Sequence, residues 1–213
     1  MKNNFIITIG REFGSGGREI GEMLAERLGI KCYDKLILKM AAEHSGLNEK
    51  LFEINDEKNI NSITTSLMSS SYFGATTSHQ PILVQLFLAQ FNAIKSLEGK
   101  ESCVIIGRCA DDVLKHYPHK LRVFVCADHN KRVERVMKRH DCSSKEAEKL
   151  IKKTDKSRAR YYNYFASGTW GDARNYDLCV NSSVLGVEGT VNAIIAFVET
   201  MQNNAEDEIH IDN

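Results

Sequence analysis

Apolar residues follow two rhythms along this chain. Apolar runs occur at Ile6, Ile7 and Ile9, at Cys103 to Ile106 and at Leu121 to Ala127, with shorter strand-like stretches at Lys31 to Tyr33 and Tyr176 to Asn181. Runs of this kind predict strands buried on both faces. Between them, spacing of three and four residues predicts helices. Ile20, Met23, Leu24 and Leu28 mark the first, and a second starts at Lys35 and runs through His44. Pro81 sits where a first-turn proline is tolerated and opens a broad apolar face from Ile82 to Leu97, ended by Gly99. Asp128 can cap a helix reaching about Arg139, Ser143 and Glu146 have capping-box spacing for a long helix to about Phe165, and a last helix spans Val187 to Met201. From Asn48 to Gln80 the rhythm weakens, and the Ser- and Thr-rich stretch Ser62 to His79 reads as a loop or insertion.

Strands that alternate with helices imply an α/β fold: a three-layer arrangement of a parallel sheet with helices on both faces. Residues 1–201 form a single domain on this reading, with a core of 1–35, 100–138 and 172–201. Two mainly helical stretches, 36–99 and 139–171, interrupt the alternation and project as lobes from the strand-end side, and 202–213 is a disordered tail.

Composition narrows the class without naming a chemistry. With 28 basic and 28 acidic residues the formal charge is zero, so nucleic acid and anionic membranes are not expected as main partners. No apolar run is expected to span a membrane, and MKNNFIITIG passes straight into a strand, so a cytoplasmic protein is expected, monomeric or homodimeric. The six cysteines form no CxxC pair and read as reduced core residues, with no disulfide and no zinc.

Candidate chemistry starts at the loop between the first strand and first helix, where Gly10, Gly14, Ser15, Gly16 and Gly17 precede Arg18. A glycine loop opening a helix aims several N–H groups at one point and suits phosphate. It is not a dinucleotide fingerprint, because the third glycine of GxGxxG is missing. It is also not a complete Walker A loop, because no lysine follows the glycines. Two registers are open. In one, Gly17 replaces the lysine and Arg18 the Ser/Thr that meets Mg²⁺; in the other, which is preferred here, the loop is one residue longer and Arg18 stands in for the lysine. Asp34 falls at the end of the second strand, where α/β sheets gather ligands, although helix capping is the commoner role for such an aspartate. Arg108 follows the third buried run. In KKTDKSRARYYNYF, Asp155 and Arg158 can share a helix face, whereas Arg158 and Arg160 cannot.

The order of motifs resembles a bacterial cytidylate kinase, specifically the divergent cytidylate kinase-like family. The likeness rests on ITI before the glycine loop, LAERLG, the CYD edge, IIGR, the basic region before DKSRARYY and the closing YDLCVNSS, and it covers most of the chain to about Met201. It implies a P-loop nucleoside monophosphate kinase fold with 36–99 as acceptor lobe and 139–171 as lid. It implies further that Gly14, Ser15, Gly16, Gly17 and Arg18 cradle donor phosphates, that Asp34 and Arg108 face the acceptor, and that Arg158 and Arg160 bring charge to the transferring group. Two departures stand out: the Walker lysine is absent, and Cys109 follows Arg108 where cytidylate kinases have an aspartate, leaving Asp111 or Asp112 as the carboxylate. The expected activity is transfer of a phosphoryl group from ATP, with Mg²⁺, to a nucleotide or other small phosphorylated or hydroxylated acceptor. The alternative is a non-catalytic nucleotide- or anion-binding module. A nicotinamide-dependent enzyme is disfavoured by the failed fingerprint.

Overall fold

The computed structural model describes residues 4–55 and 81–211. Five parallel strands form one sheet in the order β2-β3-β1-β4-β5. They are β1 (Ile6–Arg11), β2 (Lys31–Tyr33), β3 (Cys103–Ile106), β4 (Lys120–Cys126) and β5 (Leu178–Asn181). The central strand, β1, pairs with β3 through Ile9↔Ile106 and with β4 through Arg11↔Val125, so its last residue already stands at the sheet's C-terminal edge.

The continuous apolar runs are explained by cover on both faces. On one side Ile7, Ile9, Val104, Ile106 and Val123 meet Ile20 and Leu24 of α1 (Gly17–Leu28) and Val191, Ile194 and Val198 of α8 (Ser182–Ile211). On the other, Ile6, Cys103 and Ile105 meet Ile37 of α2 (Leu36–Ser45), Ile94 of α4 (Ile82–Lys95) and Ala110 and Val113 of the short α5 (Ala110–Val113). Alternate residues of each strand therefore serve opposite cores.

Two satellite clusters lie beyond the sheet. Leu38, Ala41, Phe52, Leu86 and Ala93 join α2, α4 and α3 (Glu49–Asn55). Val133, Val136, Ala147 and Ile151 join α6 (His129–His140) to α7 (Ser144–Phe165), which opens with the capping box Ser143–Glu146. The rings of Phe87 in α4 and Phe165 in α7 stack with centroids 4.2 Å apart, tying the two clusters together.

Several boundaries differ from the sequence reading. Glu49–Asn55 is helical inside the stretch of weak rhythm; Ser62 to His79 lies outside the described residues. Asp34 does not cap α2, whose first flanking residue is Lys35. Asp128 precedes α6 as expected but makes no capping bond, because its carboxylate accepts from Asn181 Nδ2 at 2.8 Å. The last helix starts at Ser182, breaks at Gly186 (φ 67°) and continues to Ile211, past Met201 and through most of the stretch expected to be disordered. Among the described residues one stretch, Ser182–Asn204, is apolar and long enough to cross a membrane, contrary to expectation; Val191, Ile194 and Val198 of that stretch are packed into the core.

Candidate active site

At the C-terminal end of β1 the chain turns over α1 in a tight loop that its own glycines make feasible. Gly14 and Gly16 have φ of 82° and 83°, a region that side chains other than glycine's rarely enter. Ser15 is fully buried, and its hydroxyl donates to the Glu12 carbonyl at 2.9 Å, so it fixes the turn and does not face outward. The Ser15 carbonyl in turn accepts from Ser182 Oγ at 2.6 Å. The N–H groups of the first α1 turn have no intrahelical acceptor, which leaves an anion cradle at Gly16, Gly17 and Arg18.

Basic side chains from the second half of the chain hold this loop by its carbonyls. Arg132 Nε donates to the Phe13 carbonyl at 2.7 Å, Arg135 Nη1 to the Gly14 carbonyl at 2.8 Å and Arg158 Nη1 to the Arg11 carbonyl at 3.1 Å. Arg132 is nearly buried and also pairs with Glu12 at 3.2 Å and with Asp155. Asp155 completes the circuit by accepting the Phe13 N–H at 2.7 Å. The Asp155/Arg158 face of α7 thus grips the loop, as their spacing predicts, while Arg160 is exposed and lines neither of the cavities described below.

Two cavities flank the strand ends. The first, over the glycine loop, is bounded by Gly14, Gly16, Gly17, Arg18, Asp34, Arg135 and Lys138; the second by Gly10, Gly107, Arg108, Asp111, Tyr161, Tyr162 and Trp170. Arg11 and Arg158 line both. Gly10, expected in the phosphate-binding loop, lines the second cavity, where a Cβ would come within 2.9 Å of Phe124 and 3.2 Å of Tyr176.

The structure favours the shorter register of the loop. Gly16 flanks α1 and Gly17 is its first residue, so Gly17 occupies the place after the last loop glycine, where a Walker lysine would be. Arg18 does not reach back over the loop. Its Nε lies 2.9 Å from Glu22 and 3.2 Å from Asp34, because a helical side chain four residues from a carboxylate is drawn along its own helix. Asp34 stands between Arg18 and Arg108, whose Nε meets the Asp34 carbonyl at 3.4 Å and whose Nη2 lies 3.9 Å from its carboxylate.

The second cavity holds a buried carboxylate. Asp111 is 5% exposed and accepts from Tyr162 Oη at 2.6 Å. Burial raises its pKa from 3.8 to about 6, against the lowering effect of the tyrosine hydrogen bond. The hydroxyls of Tyr162 and Tyr176 are pushed upward too, first by burial and then by the charge of Asp111. Of the two carboxylates that follow Cys109, Asp111 is the one inside the cavity; Asp112 turns away and accepts the Ser167 N–H at 3.1 Å. Gly107, Arg108 and Cys109 all have positive φ, at 75°, 60° and 55°, and this run carries the chain from β3 to Asp111. Two of the three bear side chains, so the turn stores strain at the cavity wall.

Sequence reasoning missed Arg11, Arg132 and Arg135 as site residues. The last two belong to the basic face of α6, where their three-residue spacing was visible but its target was not. Among the described residues no cluster of three His, Cys, Asp or Glu could hold a metal ion. Mg²⁺ bound with a nucleotide keeps phosphates and waters as most of its ligands, so such a cluster is not required.

A parallel sheet of this order, a glycine loop opening α1 and arginines converging on that loop define a protein of the P-loop kinase class. The chain belongs to the cytidylate kinase-like family, which matches residues 6–184. It is 28% identical over 200 residues to a cytidylate kinase of Pyrococcus horikoshii, covering 93% of this chain and 90% of that one. A solved structure of an uncharacterized protein from Eubacterium ventriosum is 31% identical with a TM-score of 0.69, covering 92% of this chain and 99% of the other. A shikimate kinase from Bacteroides thetaiotaomicron shares the fold at 15% identity, with a TM-score of 0.52 and coverage of 92% and 98%. Membership of this family makes the chain a phosphotransferase of the kinase type; the shikimate kinase shares its fold.

Proposed function

We propose that the protein transfers the γ-phosphoryl group of ATP, carried with Mg²⁺, to a nucleotide or another small acceptor held at Arg108 and Asp111. The observation that carries this reading is the meeting of the two cavities at the end of β1, with Arg11 and Arg158 common to both. A donor in the cradle would present its terminal phosphate toward that junction, and an acceptor among Tyr161, Tyr162 and Trp170 would meet it there. The chemistry asked of the protein is positioning and charge neutralisation, without a covalent intermediate. The cradle suits phosphate oxygens through backbone N–H groups and arginine forks. Asp111, with its raised pKa, and its tyrosine neighbours supply donors and acceptors for the body of the acceptor.

The test is ADP release from ATP and Mg²⁺ in the presence of a panel of nucleoside monophosphates and nucleosides. Cytidine monophosphate comes first, given the name of the Pyrococcus relative. Turnover with at least one member is expected, and silence across the panel with ATP bound would favour a second reading, a non-catalytic nucleotide-binding module. Gly17 in the lysine's place and Arg18 in that of the metal-binding hydroxyl are the observations that favour this alternative.

A further inference from the structure

The missing lysine leaves a space, and the structure has filled it from the opposite side of the loop. A Cβ placed on Gly17 would lie 2.5 Å from Cβ and 3.0 Å from Cγ of Arg11. The stem of Arg11 thus runs across the position from which a lysine at residue 17 would project. A Cβ on Gly107 would overlap the guanidinium of Arg11, which therefore lies directly over the bare backbone at the end of β3. Both glycines are needed for this path, one beneath the stem and one beneath the head. The Arg11 carbonyl is held by Arg158, which comes in from α7 and lines the same two cavities.

We propose that Arg11 is the catalytic cation that replaces the P-loop lysine, contacting the phosphoryl group in transit between donor and acceptor. This rests on the phosphotransfer reading above. In the step concerned, an oxygen of the acceptor forms a new bond to the γ-phosphorus of ATP. The bond from that phosphorus to the β,γ-bridging oxygen breaks, and its electron pair leaves with ADP. An ionised phosphate acceptor has no proton to lose; a hydroxyl acceptor gives its proton to solvent. Arg11 takes no part in the proton balance. It neutralises charge on the γ-phosphoryl oxygens, and its planar fork can bind two of them with parallel N–H bonds in a fixed geometry, where a lysine offers a single point charge. Arg18, tied to Glu22 and Asp34, is held on the outer wall of the glycine-loop cavity, away from the phosphoryl group in transit.

The inference is tested first by binding, using calorimetry with ATP and with ADP on the full chain. Wild type is expected to bind ATP more tightly than ADP. Arg11→Gln, which keeps the packing stem but not the charge, should lose about 10- to 150-fold in ATP affinity, the range of one charge-assisted contact, with much less change for ADP. Arg11→Lys should recover part of that loss, and matched thermal melting of the variants verifies that each is folded. Turnover provides the second test. Arg11→Gly clears the space beside residue 17, so the pair Arg11→Gly with Gly17→Lys should regain activity that Arg11→Gly alone has lost, while Gly17→Lys alone should not be active. Equal ATP affinity in wild type and Arg11→Gln, or no recovery in the paired variant, would overturn the role of Arg11 and leave the phosphotransfer reading standing. A wild-type protein that binds no ATP would overturn both.

Discussion

Asp111 is the residue at which folding and the proposed function pull in opposite directions. Its carboxylate is buried beside Tyr162, and its pKa rises from 3.8 in the unfolded chain to about 6 in the folded one. Between these values the native state holds a proton that the unfolded state has released, so stability falls as pH rises from about 4 to about 6 and is then level. Above pH 6 the ionised group costs about 3 kcal/mol relative to its solvated form. Asp111→Asn keeps an acceptor for the Tyr162 hydroxyl and removes the charge. It should be more stable than wild type by up to that amount at pH 8, and the gain should vanish near pH 4. Urea denaturation across this range checks it, and a variant less stable at every pH would contradict the burial argument. Activity should fall in the same variant, since its carboxylate lines the acceptor cavity. Asp111 could be listed as a candidate from the sequence because it follows Arg108 closely. That it, and not Asp112, enters the cavity depends on the three left-handed residues Gly107 to Cys109, which no spacing rule reveals.

Among the elements, the decisive contact joins the loop after β1 to α6 and α7, and Arg132 is its centre. Its guanidinium serves the Phe13 carbonyl, Glu12 and Asp155 together, and its side chain is 8% exposed. Arg132→Ala would remove the cation that Glu12 and Asp155 share. Removing one partner from a fully buried ion pair costs about 3–5 kcal/mol, and the partial exposure of Glu12 and Asp155 reduces the expectation here to about 2–3 kcal/mol. The urea midpoint should shift accordingly with an unchanged slope, and ATP affinity should drop because the loop loses its clamp. A shift below about 1 kcal/mol would mean that the network does not hold the loop. The elements themselves were largely legible: the buried runs at Ile6, Cys103 and Leu121 became β1, β3 and β4, and Ser143 with Glu146 did open α7. Asp155 and Arg158 were readable as one face of that helix. What the sequence could not disclose was the path of Arg11, because it is defined by the absence of side chains at Gly17 and Gly107, two residues far apart in the chain. Arg18 was adjacent to the glycines and so was the natural substitute for a lysine, yet Glu22 one helical turn on and Asp34 across the edge draw it away.

For the whole molecule, the cavity over the glycine loop is a seam between parts of the chain that meet only in three dimensions. Arg18 and Asp34 come from the first sixth of the sequence, Arg135 and Lys138 from α6 and Arg158 from α7. Arg11, Arg18, Arg135, Lys138, Arg139 and Arg158 share one cavity with only Glu12, Glu19, Glu22 and Asp34 as carboxylates, so a bound triphosphate would supply further anionic partners while bridging the seam. Saturating ATP with Mg²⁺ should therefore raise the melting temperature. At a ligand concentration of about 100 times Kd the linkage is worth about 2.7 kcal/mol. For a chain of this size that corresponds to a rise of roughly 5–10 °C. Differential scanning fluorimetry measures it directly. ADP should give a smaller shift than ATP, and high salt should reduce both, since the cavity's attraction for anions is screened. The same shift with cytidine monophosphate alone would place the nucleotide on the acceptor side, and no shift with any phosphate compound would remove the cradle as a binding site. An increase that persists in Arg160→Ala but shrinks in Arg135→Ala would separate the arginine that faces solvent from one that holds the loop, and so map the seam by its energetics.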